Sequence, residues 1–238
     1  MLVILSDSYL NDFRISTQVE GGTLNLNPHS DRKLKVYNLA KGSCTWKELI
    51  NNKTILHSWA NSRPEITLIH LGACDLINKH FVIEDIGKVA RGFTTYIEQS
   101  VETLVQFAKQ QISDFDRWES YHRFVVVQLP DWGNYQAFKG SLEPELYKQA
   151  RRLINHQLKQ NRGALFGKRN VVIVSPNTQY PQMKGVHYDD KTQAEYIEQI
   201  FQVVKKISCQ SCRPKKDTPA KQIAALRDPG CGAKQATI

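Results

Sequence analysis

Five short apolar runs rich in β-branched residues set the strongest limit on what this chain folds into. They are Leu2–Leu5, Val36–Leu39, Ile66–Leu71, Phe124–Leu129 and Val171–Ser175. Each has strand length, and none alternates cleanly between apolar and polar residues. That pattern belongs to strands covered on both faces. Helical patterns lie between and after the runs. Ile97, Val101, Leu104, Val105, Ala108 and Ile112 recur with a period of about 3.6 residues. Leu146, Ala150, Leu153, Ile154 and Leu158 repeat it, and so do Ile197, Ile200, Phe201, Val204 and Ile207. Thr45-Trp46-Lys47-Glu48 reads as a capping box that opens a short helix. Strand–helix alternation predicts a doubly wound, three-layer α/β/α domain with a mostly parallel, five-stranded sheet.

With 238 residues, 41% of them hydrophobic, the chain is long enough for one such domain with a real core. Periodicity stops after Ile207. The reading is an α/β domain over residues 1–207 and a basic, disordered tail over 208–238. No run approaches the roughly 18 apolar residues that a membrane helix needs, and no signal-peptide pattern opens the chain. A cytoplasmic protein without membrane attachment is expected. Five cysteines are few and odd in number, which fits thiols in a reducing compartment. Cys209-x-x-Cys212 is half a zinc site, and Cys231 adds at most a third ligand. Neither a metal nor a cofactor is expected.

In an open α/β sheet the site lies beyond the C-terminal ends of the strands. Ser6-Asp7-Ser8, Gly42, Gly72–Asp75 and Pro130–Asn134 all fall there. Serine hydrolysis needs a nucleophile, a base, an orienter for that base, and oxyanion donors. Ser8 is the candidate nucleophile, just past the first strand. His187, in Gly185-Val186-His187 before the last helix, is the candidate base. Gly42 and Gly72 follow the second and third strands. His70 reads as a core histidine inside its strand, and Asp75 as a cap of the turn after it. Gly21-Gly22 reads as a loop.

These four segments, in this order, resemble the SGNH (GDSL-type) hydrolase superfamily across about residues 1–206. The resemblance implies the α/β/α fold and a catalytic serine with a histidine base. Members of that superfamily carry Gly-Asp-Ser, a glycine, Gly-x-Asn-Asp and Asp-x-x-His at these places. Here Ser6 replaces the first glycine, Cys74 the asparagine and Lys184 the aspartate. A thiol is a poor donor to an oxyanion. A cation beside the histidine disfavours imidazolium. Asp189 and Asp190 are the nearby carboxylates that remain to orient it.

The net charge is +9. Residues 1–206 hold 26 basic and 21 acidic residues, and residues 207–238 hold 6 and 2. Lys148, Arg151, Arg152, Lys159 and Arg162 form a stripe on the helix near residue 150, followed by Lys168 and Arg169. Such a stripe suits phosphates. Trp132, Tyr135 and Phe138 offer rings for stacking on bases. Ser6-Asp7-Ser8-Tyr9-Leu10 and Gly72-Ala73-Cys74-Asp75 also look similar to the C-terminal domain of Oskar proteins, an SGNH-like group without a working triad that binds RNA. That resemblance implies a non-catalytic RNA-binding domain in a cytoplasmic, germ-plasm type ribonucleoprotein granule, with RNA and granule proteins as partners. This is the leading expectation. The alternative is an SGNH-type serine esterase or acyl hydrolase using a Ser8–His187 dyad.

Overall fold

The computed structural model describes residues 1–10, 19–26, 33–77, 85–131, 144–167, 169–177, 182–184 and 187–210. Nine strands are described: β1 (Leu2–Ser6), β2 (Val19–Glu20), β3 (Thr23–Asn25), β4 (Lys33–Asn38), β5 (Ile66–His70), β6 (Arg123–Val127), β7 (Val171–Val174), β8 (Met183–Lys184) and β9 (His187–Tyr188). The helices are α1 (Trp46–Asn51), α2 (Lys53–Ser62), α3 (Ala73–Ile77), α4 (Ile86–Gln111), α5 (Phe115–Tyr121), α6 (Pro144–Gln160), α7 (Arg162–Phe166) and α8 (Asp190–Gln210).

The main sheet runs β2-β3-β4-β1-β5-β6-β7. Its five strands from β4 to β7 are parallel, as the apolar runs predict. Leu2 and Ile4 point into a core closed by α8, together with Leu68, Val125, Tyr196 and Phe201. Val3 and Leu5 point the other way, into a larger core filled from α1, α2, α4 and α6. Both faces of β1 are therefore dry, and all five of its residues are buried. This explains the unbroken Leu-Val-Ile-Leu run.

The sheet has seven strands instead of the expected five. β2 and β3 add an antiparallel hairpin outside β4. Gly21 and Gly22 make its two-residue turn, with φ of 56° and 75°. Only glycine adopts two such angles cheaply. α8 also runs three residues past Ile207, where periodicity was expected to stop, and Ser208 is buried. The Thr45 capping box forms as read: Thr45 Oγ1 accepts the Glu48 N–H, and Glu48 accepts the Thr45 N–H. Among the described residues, no helix is long and apolar enough to cross a membrane.

Candidate active site

Ser8 opens a single 3-10 turn directly after β1. The turn is tied down on every side. The Asp7 N–H donates to the His70 carbonyl at 3.2 Å, which joins the end of β1 to the end of β5. Asp7 Oδ1 accepts the Tyr9 N–H at 3.0 Å. Gln193 Nε2, from the first turns of α8, donates to the Tyr9 carbonyl at 2.9 Å. Asp7, Tyr9 and Leu10 are buried, while Ser8 alone of the turn is half-buried. These bonds tie the turn to the end of β5 and to α8, with Ser8 partly open to solvent.

His187 arrives from the far end of the chain. β8 and β9 form a small hairpin in which His187 pairs with Lys184 across the backbone. The Lys184 side chain and the turn residues Gly185 and Val186 lie outside the described residues. Ser8 Oγ and His187 Nε2 are 2.7 Å apart. This is hydrogen-bond distance for a nucleophile and its base. The Tyr9 ring packs on the imidazole edge-on, with centroids 4.9 Å apart. The Asp189 carboxylate accepts the Thr192 N–H at 2.8 Å at the start of α8, and this bonding to Thr192 holds it below the usual carboxylate range. Asp190 is exposed in the first turn of α8.

The other motif residues divide by role. The Lys41 N–H donates to the Ser6 carbonyl at 2.9 Å, so the turn carrying Gly42 docks against the end of β1. Gly72 has φ +118°, and a Cβ there would lie 2.9 Å from Leu129 Cδ2 and 3.1 Å from Phe93. That site admits only glycine. Cys74 is buried in α3, and burial first, then Asp7 and Asp75, pushes its thiol far up. It stays a neutral, weak donor. Asp75 is fully buried and accepts the Trp46 N–H on both oxygens, at 3.1 and 3.0 Å, and the Tyr96 hydroxyl at 3.1 Å. It therefore holds the start of α1 and is spent on structure. His70 is the core histidine expected. Its Nε2 meets the Tyr196 hydroxyl at 2.8 Å, while Nδ1 lies 3.3 Å from Asp7 Oδ1 without forming a hydrogen bond.

The predicted basic stripe is partly consumed by the protein's own acids. Lys148 pairs with Glu145 at 3.6 Å, Arg151 with Asp131 at 3.2 Å, and Arg169 with Glu102. Arg152, Lys159 and Arg162 are exposed, and Lys168 lies outside the described residues. So do Trp132, Tyr135, Phe138, Cys212 and Cys231. Among the described residues, no group of three or more His, Cys, Asp or Glu is placed to hold a metal. A cavity of about 810 Å3 lies at the opposite end of the sheet near Trp118, His122 and Phe166, away from Ser8.

No family model matches the sequence, and no curated protein matches it. Solved structures do. A Bacteroides fragilis protein assigned as an acylhydrolase aligns with a TM-score of 0.52 at 10% identity, covering 86% of this chain and 86% of that one. A Clostridium thermocellum family 3 carbohydrate esterase aligns at 0.50 and 13% identity, over 88% and 98%. The lipase Lip_vut3 from a goat rumen metagenome aligns at 0.50 and 12% identity, over 84% and 95%. The chain has the SGNH-hydrolase fold. The expectation of RNA and granule proteins as partners is overturned, because these fold neighbours are named as an acylhydrolase, an esterase and a lipase. The three internal ion pairs give the physical reason: the stripe read as a phosphate surface is partly neutralised from within. The Oskar likeness found no support among them.

Proposed function

We propose that the protein is a carboxylic ester hydrolase in which Ser8 is the nucleophile and His187 the base. The 2.7 Å contact between Ser8 Oγ and His187 Nε2 carries this reading. The two side chains are 179 positions apart in sequence, so the fold had to bring them together. The names of the fold neighbours, an esterase and a lipase among them, support it.

In the first half-reaction His187 Nε2 takes the Ser8 proton as Oγ attacks the ester carbonyl carbon. The tetrahedral intermediate collapses, and His187 returns that proton to the leaving alkoxide. A water then attacks the acyl-serine, giving its proton to His187. Collapse releases the carboxylic acid and restores Ser8. Backbone N–H groups at Ser8, Gly42 and Gly72 are the donors assigned to the oxyanion. Cys74 offers only a thiol where an asparagine side chain stands in the GDSL pattern, and loss of one such donor costs roughly 10²–10³ in rate. The imidazole is held by its hairpin and by the Tyr9 ring in place of an aspartate three residues upstream. A slow enzyme is the consequence.

Hydrolysis of p-nitrophenyl acetate by the purified protein tests this. Ser8→Ala and His187→Ala are each expected to remove the hydrolysis above background. Equal rates in wild type and Ser8→Ala overturn the assignment.

A further inference from the structure

Ser8 and His187 are each followed by a tyrosine, and both tyrosine hydroxyls end on the same residue. The Tyr9 hydroxyl donates to the Asp131 carbonyl at 3.0 Å. The Asp131 N–H donates to the Tyr188 hydroxyl at 2.8 Å. The backbone of one residue, beyond the end of β6, thus bridges the segment that carries the nucleophile and the segment that carries the base. Asp131 is itself held from a third side. Arg151 Nη2, on α6, donates to Asp131 Oδ2 at 3.2 Å, and the Tyr147 hydroxyl, from the same helix, donates to the Pro130 carbonyl at 3.0 Å. The bridge is thereby anchored on α6.

The rings connect this bridge to the reacting atoms. The Tyr9 ring meets the His187 imidazole with centroids 4.9 Å apart and planes at 67°, and the Tyr188 ring at 5.7 Å and 78°. Ring contacts of this kind attract but leave the partner free to slide. A hydrogen bond at the far end of each ring sets its distance to within a few tenths of an ångström. Both tyrosines are buried. Burial raises the Tyr9 pKa well above its ordinary value, so its hydroxyl stays a donor. The placement matters because a reacting pair displaced by about 1 Å loses about 10²-fold in rate.

We infer that Tyr9 and Tyr188 are positioning residues which, joined through the backbone of Asp131, set the His187 imidazole against Ser8. The inference rests on the reading of Ser8 and His187 as the ester-cleaving pair. It goes further, because it adds residues that act on the reaction through His187.

Two arms test it. Tyr9→Phe and Tyr188→Phe keep both rings and delete only the hydroxyls. In p-nitrophenyl acetate hydrolysis each is expected to lower kcat by roughly 3–10-fold, the worth of one neutral hydrogen bond, with KM changed by less than about 2-fold. The double variant is expected to lose about as much as the worse single one, because either break opens the bridge. His122→Phe, at the opposite end of the sheet, controls for lost stability and is expected to keep the wild-type kcat. A wild-type kcat in either tyrosine variant, a double loss equal to the product of the single ones, or an equal loss in His122→Phe overturns the inference. The second arm does not need catalysis. The His187 Cε1–H resonance, assigned by its absence from His187→Ala, is expected to move in both tyrosine variants, since the neighbouring rings remain and only the placement of the imidazole changes. An unmoved resonance in either variant overturns the inference. Moved resonances beside a wild type that does not hydrolyse the ester refute the hydrolase reading and leave the bridge standing.

Discussion

Acid destabilises this fold through one buried histidine. His122 follows α5, and its Nδ1–H donates to the Pro64 carbonyl at 2.8 Å. Its ring stacks on Trp118 with centroids 4.1 Å apart. Nε2 lies 3.3 Å from Thr67 Oγ1, and that hydroxyl also accepts the Trp59 indole N–H at 2.8 Å. The imidazole is therefore neutral, with its proton on Nδ1. Burial drives its pKa from 6.5 down to about 3, with the Arg123 charge adding to the shift. Between those two values the unfolded chain binds a proton that the folded chain refuses, so stability falls as the pH falls. Each unit is worth about 1.4 kcal/mol, so His122 alone costs about 2 kcal/mol on going from pH 7 to pH 5. The assay is urea unfolding of wild type and His122→Phe at both values. The variant starts less stable, because it abandons the Pro64 carbonyl. Its further loss between pH 7 and pH 5 is expected to be about 2 kcal/mol smaller than that of wild type. Equal losses in the two proteins refute the reasoning. The same arithmetic places ester assays at neutral pH or above.

Three further outcomes follow from the packing. Asp75→Ala strands the buried Trp46 N–H, removes the carboxylate that the Tyr96 hydroxyl bonds, and is expected to cost about 2–4 kcal/mol in urea unfolding. Gly72→Ala sets a methyl 2.9 Å from Leu129 at a positive φ; a loss of about 1–3 kcal/mol is expected by thermal unfolding, together with slower ester hydrolysis. Cys44 and Cys74 are buried, and burial pushes the Cys44 thiol up to about 11 and Cys74 higher still. Both are expected to resist iodoacetamide at pH 8 in the folded protein and to react in urea, while exposed Cys209 reacts in both; mass spectrometry of the peptides decides it.

The central sheet was readable because its strands are buried on both faces, which leaves an apolar run in the sequence. β2 and β3 were not. They are two and three residues long and bury only Leu24 between them, too little for a period to show. Gly21-Gly22 was their one trace, and two glycines read equally well as a loop. Ser8 and His187 were legible because each sits at a fixed place relative to a strand or helix end. Tyr9, Gln193 and the Arg151–Asp131 pair were not, since their contacts cross 184, 122 and 20 residues. The basic stripe misled for the same reason. A pattern along the sequence cannot reveal that Asp131 after β6 faces Arg151 and that Glu102 from α4 faces Arg169.

The claim that Ser8 is a nucleophile activated by His187 is tested most directly by covalent capture. A fluorophosphonate probe followed by peptide mass spectrometry is expected to give one adduct, on Ser8. The adduct is expected to be absent from Ser8→Ala and much slower to form in His187→Ala. No adduct on the wild type, or one that forms equally fast without His187, contradicts the account.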